Sequence, residues 1–490
     1  MTAALLAEWT KLRTVRRWAA ALLGAAVLIV GLGLLASSSG GTDANVHRNF
    51  VVGPDGQPVS DEFEFVHRPL SGDGSITVRV ASLADNGVDA AAGLMLKDGL
   101  TPGSRYVSLF AARRTGVHLS QDYDTDVRGP AGAAPVWLRL TRAGNTVTGE
   151  QSADGTAWTR VAKVTAAALP RDVLVGLFVS SPADIKVERQ PGGTSVGERP
   201  TLATATFDGV AVTGASGEWA GGPVEMPRGN LVKDPPPPGA DRGNGEPPAE
   251  RDGPSFAEQG GTFTVKGRGE IGPKAPPDDP ISVALFGVLA GAMALVSVAA
   301  LFVTAEYRRG MIRTTFIAEP RRGLTLAAKA VVIGAVSYVV ALAGGAAVLL
   351  LARPRLIAHG YGPPAFPRYS LADWPVLRTL LLTAAFLALI AVFATAVGAI
   401  VRHSAAAITT VIALLVLPVI IGSVVPFGLA RWVMLLTPAG GLATWRAKPP
   451  DDTLADPTAL IGSLAGLAST GAYAAGALIL AWWLLRRRDA

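Results

Sequence analysis

Three aspartates occupy alternating positions, Asp122, Asp124 and Asp126. This is the spacing of a calcium loop, which uses carboxylates because the hard cation binds several oxygens. Val127 stands where such a loop requires glycine, and no acidic ligand follows at the right offset. We therefore favour a solvated hairpin tip, with a calcium site as the alternative. The five histidines lack the spacing of metal ligands, so we expect no metal or other cofactor in this chain.

The sequence gives little support for hydrolytic chemistry. Residues 193–197 formally match a nucleophile elbow, which needs a strand before it and a helix after it. The neighbours Pro191, Gly192 and Pro200 predict a plain loop instead. No lysine directly follows a glycine, so the chain has no Walker A loop and cannot itself be a P-loop ATPase. No convincing catalytic pair or triad is present, and we expect a protein that is not an enzyme.

Six apolar stretches, each about long enough to cross a bilayer, contain no Asp, Glu, Lys, Arg or His. They cover residues 18–36, 281–304, 330–352, 379–401, 405–425 and 460–485. With 49% hydrophobic residues, only 17% charged residues and a mean hydropathy of +0.36, the composition also favours a membrane protein. Proton-coupled carriers and ion channels usually need charges within the membrane, so both classes become less probable.

Positive charge favours the cytoplasmic side of short loops. Basic residues precede the first span, lie between the second and third, and follow the sixth. We therefore predict a plasma-membrane protein with cytoplasmic termini (1–17 and 486–490) and an extracytoplasmic segment over 37–280. The alternative is a cleaved signal peptide over residues 1–41, although its apolar run is longer than usual. The net charge of +6 does not indicate nucleic-acid binding, because the basic residues flank the spans.

The segment between the first two spans has a hydrophobic period close to two, interrupted by turn residues. Such a pattern predicts an all-β sandwich or jelly roll, over residues 46–214. Residues 173–179 and 203–212 are predicted strands, and Gly144-Asn145 and Asp154-Gly155 are predicted hairpin turns. Residues 215–280 are predicted as a linker, disordered or extended over 233–254, with a possible extra strand at 262–265. The chain has no cysteine, so this domain is held without disulfides.

Several phrases in this segment resemble the concanavalin A-like jelly-roll domains of bacterial surface and carbohydrate-active proteins. They are Gly72-Asp73-Gly74-Ser75-Ile76, Ala92-Gly93-Leu94-Met95, Trp137-Leu138-Arg139-Leu140, Ser152-Ala153-Asp154-Gly155-Thr156-Ala157-Trp158 and Ala205-Thr206-Phe207-Asp208-Gly209-Val210. The resemblance implies a fold more than an activity. Tyr106, Tyr123 and Trp158 are candidates for stacking on sugar rings of an extracellular glycan, and core packing is the role we favour for them.

The membrane portion resembles the permease subunits of the type-two class of bacterial ABC exporters. The matching residues are Glu8-Trp9-Thr10-Lys11-Leu12-Arg13, Glu306-Tyr307-Arg308-Arg309-Gly310 with Thr314-Thr315 and Pro320-Arg321-Arg322-Gly323, Thr437-Pro438-Ala439, and the ending Leu485-Arg486-Arg487-Arg488-Asp489-Ala490. Residues 1–17 can form an amphipathic helix at the membrane interface, with Leu5, Leu6, Trp9 and Leu12 on its apolar side. The large insert departs from the simplest members of the class.

This resemblance implies a transport subunit that pairs with a second permease copy or a related permease. Two separate ATP-binding subunits, which hold the ATP and magnesium, would dock on the cytoplasmic loop 305–329. Glu306, Tyr307, Arg308, Arg309, Gly310 and Arg313 are the candidate coupling residues. The alternative for this loop is that its arginines only set the topology. An apolar pathway weakly favours a hydrophobic or lipid-like substrate.

The outer side includes two loops, residues 353–378 and 426–459. Pro418 and Pro426 are predicted to break the fifth apolar stretch, followed by a re-entrant segment that resembles the outer helices of the same exporter class. With Thr437 and Pro438 they form a candidate outer gate. A kinked span end with Trp432 at the interface is the alternative. For the whole chain, the alternative function is a membrane-anchored carbohydrate-binding or sensory protein.

Overall fold

The computed structural model describes residues 2–38, 51–84, 88–130, 134–190, 193–226, 256–274, 279–308, 322–363, 366, 368–450 and 456–487. The chain divides into two compact units. The helical unit comprises Met1–Ala44, Val187–Gly197 and Pro276–Ala490, and the β unit comprises Asn45–Lys186 and Glu198–Ala275. The predicted linker over 233–254 lies outside the described residues.

The helical unit contains α-helices that we number in chain order. They are α1 (Thr2–Thr14), α2 (Arg16–Ser38), α3 (Pro280–Ala284), α4 (Val288–Arg308), α5 (Arg322–Ala358), α6 (Trp374–Val401), α7 (Ser404–Val424), α8 (Phe427–Leu435) and α9 (Ser463–Arg487). A short 3-10 turn joins α3 to α4. In the described residues, six helical segments are long and apolar enough to cross a membrane, namely α2, the α3–α4 run, α5, α6, α7 and α9.

Helix α6 lies at the centre of this unit, because it packs against α4, α5, α7 and α9. Its buried side consists of small and apolar residues such as Ala384, Phe386 and Ile390. Helix α2 crosses the α3–α4 run closely. A side chain at Gly33 would collide with the carbonyl of Ala284, and one at Gly287 would collide with the carbonyl of Ile29. Small residues at such crossings let two helix backbones approach, which is how helices pack when their surroundings are apolar.

Two prolines do not end helices as the sequence suggested. Pro418 was predicted to break the fifth stretch, but α7 continues through it to Val424, and only Pro426, before α8, marks a break. Pro354 likewise lies inside α5, so the predicted loop 353–378 begins with helix. A proline removes one backbone hydrogen bond, that to the residue four positions earlier, while the rest of an apolar helix keeps its own. Both helices tolerate this local loss.

The β unit is built from strands numbered β1 to β18, of which β12 and β13 extend into the segment assigned to the helical unit. Their bounds are β1 (Val51–Val52), β2 (Pro58–Asp61), β3 (Phe63–Leu83), β4 (Ala91–Lys97), β5 (Tyr106–Ala112), β6 (Gly116–Gln121), β7 (Thr125–Arg128), β8 (Val136–Ala143), β9 (Thr146–Ser152), β10 (Thr159–Thr165), β11 (Asp172–Ser180), β12 (Asp184–Gln190), β13 (Gly193–Arg199), β14 (Ala203–Ala215), β15 (Ala220–Val224), β16 (Phe256–Gln259), β17 (Thr262–Gly267) and β18 (Ile271–Pro273).

Strand β3 organises the antiparallel sandwich, because two sets of neighbours share its 21 residues. Its first part pairs with β11 and β15, and its second part pairs with β8 and β14. The first set continues through β4, β5, β6 and β7, and the second through β9 and β10 on one side and β17 and β16 on the other. Alternate residues of β3, including Ile76, Val78 and Val80, are buried in the core.

Most strand predictions are confirmed. Strand β11 covers the segment predicted as buried, β14 the closing strand, and β17 the extra strand, which pairs with β14. The turn at Gly144-Asn145 joins β8 and β9 as predicted. One prediction is wrong: residues 193–197 were expected to be a loop, but they belong to β13 (Gly193–Arg199), which pairs with β12 in a separate two-stranded sheet. Backbone pairing with β12 overrides the turn-forming composition of this segment.

Candidate functional site

Four charged residues of the helical unit form an ion cluster, Glu8, Lys11, Glu306 and Lys329. The Nζ atom of Lys329 donates to Oε2 of Glu8 at 2.8 Å and to Oε1 of Glu306 at 2.6 Å. Nζ of Lys11 donates to Oε1 of Glu8 at 2.8 Å and to Oε1 of Glu306 at 3.2 Å. Two carboxylates and two ammonium groups alternate, so the cluster is electrically neutral and joins α1, α4 and α5.

Most of this cluster is shielded from solvent. The side chains of Lys329 and Glu8 are 3% exposed and that of Glu306 is 8% exposed, whereas Lys11 is 40% exposed. Nζ of Lys329 also lies 5.0 Å from the centre of the Phe302 ring, within the range of a cation–π contact. Burial weakens the charged form of Lys11, but the hydrogen bonds and charges of Glu8 and Glu306 outweigh it and raise its pKa. The cluster therefore holds its charges by mutual pairing.

The orientation of α1 follows from this cluster. Leu5, Glu8 and Leu12 face the protein, whereas Leu6 and Trp9 are exposed. The predicted apolar side of the helix is thus only half buried, since Leu5 and Leu12 pack inward and the other two do not. Glu8 takes the inward position because its carboxylate has cationic partners there. Arg13, near the C-terminal end of the helix, is exposed.

The predicted coupling residues lie in different surroundings. Glu306 is buried in the ion cluster, Tyr307 is half-buried with the Arg402 guanidinium 5.1 Å from its ring centre, and Arg308 is exposed at the end of α4. Arg309, Gly310 and Arg313 lie outside the described residues. One oxygen of the Glu306 carboxylate, Oε1, accepts hydrogen bonds from Lys329 and Lys11 within the chain. The other oxygen, Oε2, is buried and has no hydrogen-bond partner among the described residues. Arg308 remains accessible for an external contact.

Of the predicted gate residues, Pro418 lies within α7 and Pro426 precedes α8, whereas Thr437 and Pro438 stand at the start of a buried, irregular segment. After α8, residues Pro438–Trp445 form a 3-10 helix that is almost wholly buried. Hydroxyl groups of α6 and α9 donate hydrogen bonds to backbone carbonyls of this segment and of Thr437, which precedes it. Thr470 donates to Pro438, Ser469 to Thr437, and Thr383 to Thr444, at 2.8–3.0 Å. Irregular backbone is stable in apolar surroundings only where protein groups or water satisfy it. This segment meets that condition with side-chain hydroxyls.

A second buried ion pair lies in the β unit. Nζ of Lys97 donates to Oδ2 of Asp61 at 2.8 Å, and both side chains are fully buried. The backbone N–H of Gly103 also donates to Oδ2 of Asp61, and the rings of Tyr106 and Tyr123 face Nζ of Lys97 at 5.7 and 5.9 Å. Burial lowers the pKa of Lys97 and raises that of both tyrosines, although Asp61 partly offsets the effect on Lys97. The pair is enclosed and offers no open site.

The three aspartates considered as calcium ligands do not converge on one point. Asp122 pairs with Arg105 at 2.8 Å, Asp126 contacts His118 at 3.0 Å, and Asp124 is exposed in the turn between β6 and β7. Their carboxylates thus point to separate partners. In the part of the chain that the structure describes, no group of three or more potential ligands could hold a metal ion.

The three aromatic candidates for sugar stacking are also engaged within the fold. Tyr106 and Tyr123 are buried and pack edge to face, 4.7 Å apart, so neither presents a ring to a glycan. Trp158 is half-buried, and the Arg139 guanidinium covers its ring at 3.8 Å. The two tyrosines are core residues, as we favoured from the sequence.

The sequence reasoning missed the central residue of the ion cluster, Lys329, which was counted only as a topological charge. A signal was present: Glu306 and Lys329 are charges of opposite sign that adjoin two predicted spans, and Glu8 lies on the predicted interfacial helix. Charges in apolar surroundings are costly and predict a partner. Lys97 was also missed, because it is the last residue of the apolar strand β4 and no local pattern links it to Asp61.

No protein-family model matches the sequence, and no curated protein matches it. Among solved structures, a functionally unknown protein from Saccharomyces cerevisiae is 18% identical over 31% of this chain and 74% of its own, with a TM-score of 0.23. A mutant of the GH43 protein BlXynB from Bacillus licheniformis is 14% identical over 22% and 24%, with a TM-score of 0.19.

A further match is scytalido-glutamic peptidase with a transition-state analogue inhibitor. It is 9% identical over 42% of this chain and 98% of its own, with a TM-score of 0.23. TM-scores this low support no conclusion about fold or function.

Proposed function

We propose that this chain is the membrane-spanning permease subunit of an ATP-driven exporter of the type-two ABC class. The six apolar helices would cross the plasma membrane, with the termini in the cytoplasm and the β unit outside. Two separate ATP-binding subunits would bind the cytoplasmic face and supply ATP hydrolysis, and a second permease would complete the complex. The chain itself would be a transport subunit without catalytic residues.

The observation that carries this proposal is the ion cluster. Its acidic members Glu8 and Glu306 each belong to one of the two segments with the strongest resemblance to the exporter class. These segments are about 300 residues apart in sequence, and Lys329 joins them. An isolated anchor would have no need to connect its first helix with the ends of α4 and α5. A transmitter of force would need this connection.

The cluster suggests how force would reach the membrane helices. The segment between Arg308 and Arg322 would receive the push of the closing ATPases. Because Lys329 binds Glu306 and Glu8 together, α4, α5 and α1 would move as one body rather than bend separately. The salt bridges are shielded from water, which strengthens their electrostatic interaction. Exposed Leu6 and Trp9 would lie in the interface between headgroups and hydrocarbon, where tryptophan is favoured.

The irregular segment after α8 fits the same function. A buried 3-10 helix held by hydroxyl groups of α6 and α9 can be released when these helices shift, since each bond is a single neutral hydrogen bond worth about 1 kcal/mol. Such a segment would serve as the outer gate. The substrate would follow a pathway lined by apolar and small residues, which favours a hydrophobic or lipid-like molecule.

The test is the partner. The full-length chain is co-expressed with a P-loop ATPase encoded beside it and purified by a tag on the chain alone. We expect the ATPase to co-purify and its ATP hydrolysis to increase when the complex is placed in nanodiscs. An unrelated ATPase of the same class serves as the control. If no neighbouring ATPase binds, or if reconstituted vesicles move solute equally well without it, the proposal is wrong.

A further inference from the structure

An apolar groove runs along the helical unit between α2 and α4. Its volume is about 770 Å³, within the range of about 300–1,000 Å³ found for small-molecule sites. The walls are almost entirely apolar, with Ala21, Leu28, Ala294 and Leu301 among them. The hydroxyl of Ser297 is bound to the carbonyl of Met293 in its own helix and offers the groove no free donor.

Both arginines that line this groove lie at one end of it. Helices α2 and α4 run antiparallel, since Trp18 contacts Phe302 near one end and Ile29 packs on Gly287 near the other. Arg17, at the start of α2, therefore lies at the same end as Arg308, the last residue of α4. The groove is amphiphilic: a cationic mouth leads into a long apolar trough.

The length of the trough corresponds to one leaflet of a bilayer. On α4 the lining extends from Ala294 to Arg308, which at 1.5 Å per residue is about 21 Å. A bilayer is about 40–45 Å thick including its headgroups, so one leaflet measures about 20–22 Å. A lipid with its headgroup at the arginines would reach the middle of the membrane with its chain ends.

The positive charge of the two arginines at the mouth of the groove favours an anionic headgroup. Arg17 and Arg308 are both exposed, and among the described residues neither pairs with a carboxylate. The guanidinium carbon of Arg17 lies 5.4 Å from the centre of the Trp18 ring, within the range of a cation–π contact. Guanidinium groups bind phosphate oxygens in a bidentate manner. Two of them beside an apolar trough fit a phospholipid that carries net negative charge.

We propose that the groove between α2 and α4 is a binding site for one anionic phospholipid, with its phosphate at Arg17 and Arg308 and an acyl chain along the trough. This inference rests on the proposed membrane location but not on the ATPases. Because the site joins α2 to the end of α4 that carries the coupling segment, a bound lipid would brace these two helices against each other.

The test measures lipid bound to the full-length chain by native mass spectrometry after exchange into mixed micelles. The probes are phosphatidylglycerol and phosphatidylethanolamine with identical acyl chains. Each basic residue near an anionic lipid contributes a factor of about 5, so two arginines predict about 25-fold preference for phosphatidylglycerol. We expect one tightly bound anionic lipid per chain, and the variant Arg17→Gln/Arg308→Gln should lose most of the preference.

A matched pair of glycine variants tests the trough itself. Gly24 lines the groove and has open space around it, so Gly24→Leu fills the trough without a clash. Gly31 lies on the same helix with equally open space but does not line the groove, so Gly31→Leu is its control. Gly24→Leu should remove the bound lipid while Gly31→Leu keeps it. Equal lipid retention by both variants overturns the proposal.

Two further outcomes would also overturn it. If the arginine variant keeps its lipid and the wild type binds both headgroups equally, the groove only collects hydrocarbon.

The natural chain has no cysteine, so Ser297→Cys provides a single thiol inside the groove. Disulfide-linked dimers of that variant in nanodiscs would identify a second copy as the occupant. Loss of ATPase binding with unchanged lipid selectivity would instead affect only the proposed function.

Discussion

The Nζ atom of Lys329 lies 2.6 Å from Oε1 of Glu306 and 2.8 Å from Oε2 of Glu8, so one buried ammonium group pairs with two carboxylates. The second ammonium group, that of Lys11, is at the solvent-exposed edge of the same cluster. Lys329 is thus the inner connection between α1, α4 and α5, and Lys11 balances the remaining charge from outside.

Replacing the inner lysine should destabilise the helical unit strongly. Lys329→Met leaves two carboxylates in a shielded site with one partner, and removing one partner of a buried ion pair costs about 3–5 kcal/mol. The free energy of unfolding in detergent is the measurement. Lys11→Met is the control, because its ammonium group lies at the solvent-exposed edge of the cluster, where water replaces part of the lost pairing, and the loss should be smaller. Equal losses in both variants would contradict the central role of Lys329.

A triple variant separates lost pairing from lost packing. Lys329→Met/Glu8→Gln/Glu306→Gln removes the unpaired charges together with the lysine. Replacing a whole buried ionic group is often nearly neutral, so this variant should regain most of the stability lost by Lys329→Met. If it is no more stable than the single variant, the loss comes from packing around Phe302 instead.

Charge reversal at Arg308 and Arg309 should weaken coupling without preventing insertion. Contacts of charged hydrogen-bonding groups contribute about 1.5–3 kcal/mol each, so we expect ATPase binding, and with it ATP-dependent transport, to fall by about tenfold or more. Binding is measured by titrating the ATPase onto the permease in nanodiscs, and insertion by protease protection. Arg355→Glu, at the far end of α5, is the control. Unchanged binding would remove the coupling role proposed for both arginines.

The pair of Lys97 and Asp61 should act as a unit in the β unit. Lys97→Met removes the ammonium partner of the buried Asp61 carboxylate, to which the N–H of Gly103 still donates, and should cost about 3–5 kcal/mol. Lys97→Met/Asp61→Asn should cost less than the sum of the single variants. Equilibrium unfolding of the full-length protein, followed by protease susceptibility of the β unit, gives the coupling energy. Additive effects would show that the two side chains are energetically independent.

Acidification should destabilise the β unit through His67. Burial lowers the pKa of His67 below its ordinary value of 6.5, so the folded protein favours the neutral ring. As the pH falls below about 6.5, the unfolded chain binds the proton first, and the free energy of unfolding decreases. The melting temperature of the β unit at pH 7.5 and 5.5 is the measurement. His67→Phe should reduce the difference between them, whereas His359→Gln, in the helical unit, should not.

Local patterns in the sequence predicted most of the secondary structure, although not the strand β13 or the continuation of α7 through Pro418. Hydropathy and length identify six apolar helices, because an apolar helix needs no long-range partner to satisfy its backbone. A period of two with glycine turns identifies strands such as β11 and β14, because alternate side chains of a strand face opposite sides. The helix break at Pro426, before α8, was predicted for the same local reason.

Only the tertiary structure decided which charges meet. Glu8 and Lys329 are 321 residues apart, and Asp61 and Lys97 are 36 apart, so no local period links them. The burial of Tyr106 and the passage of α7 through Pro418 likewise depend on what packs around them. Hydrophobic burial is nondirectional and can be read from residue type, whereas ion pairs require particular atoms within about 3–4 Å, and only the packing of helices and strands brings such atoms together.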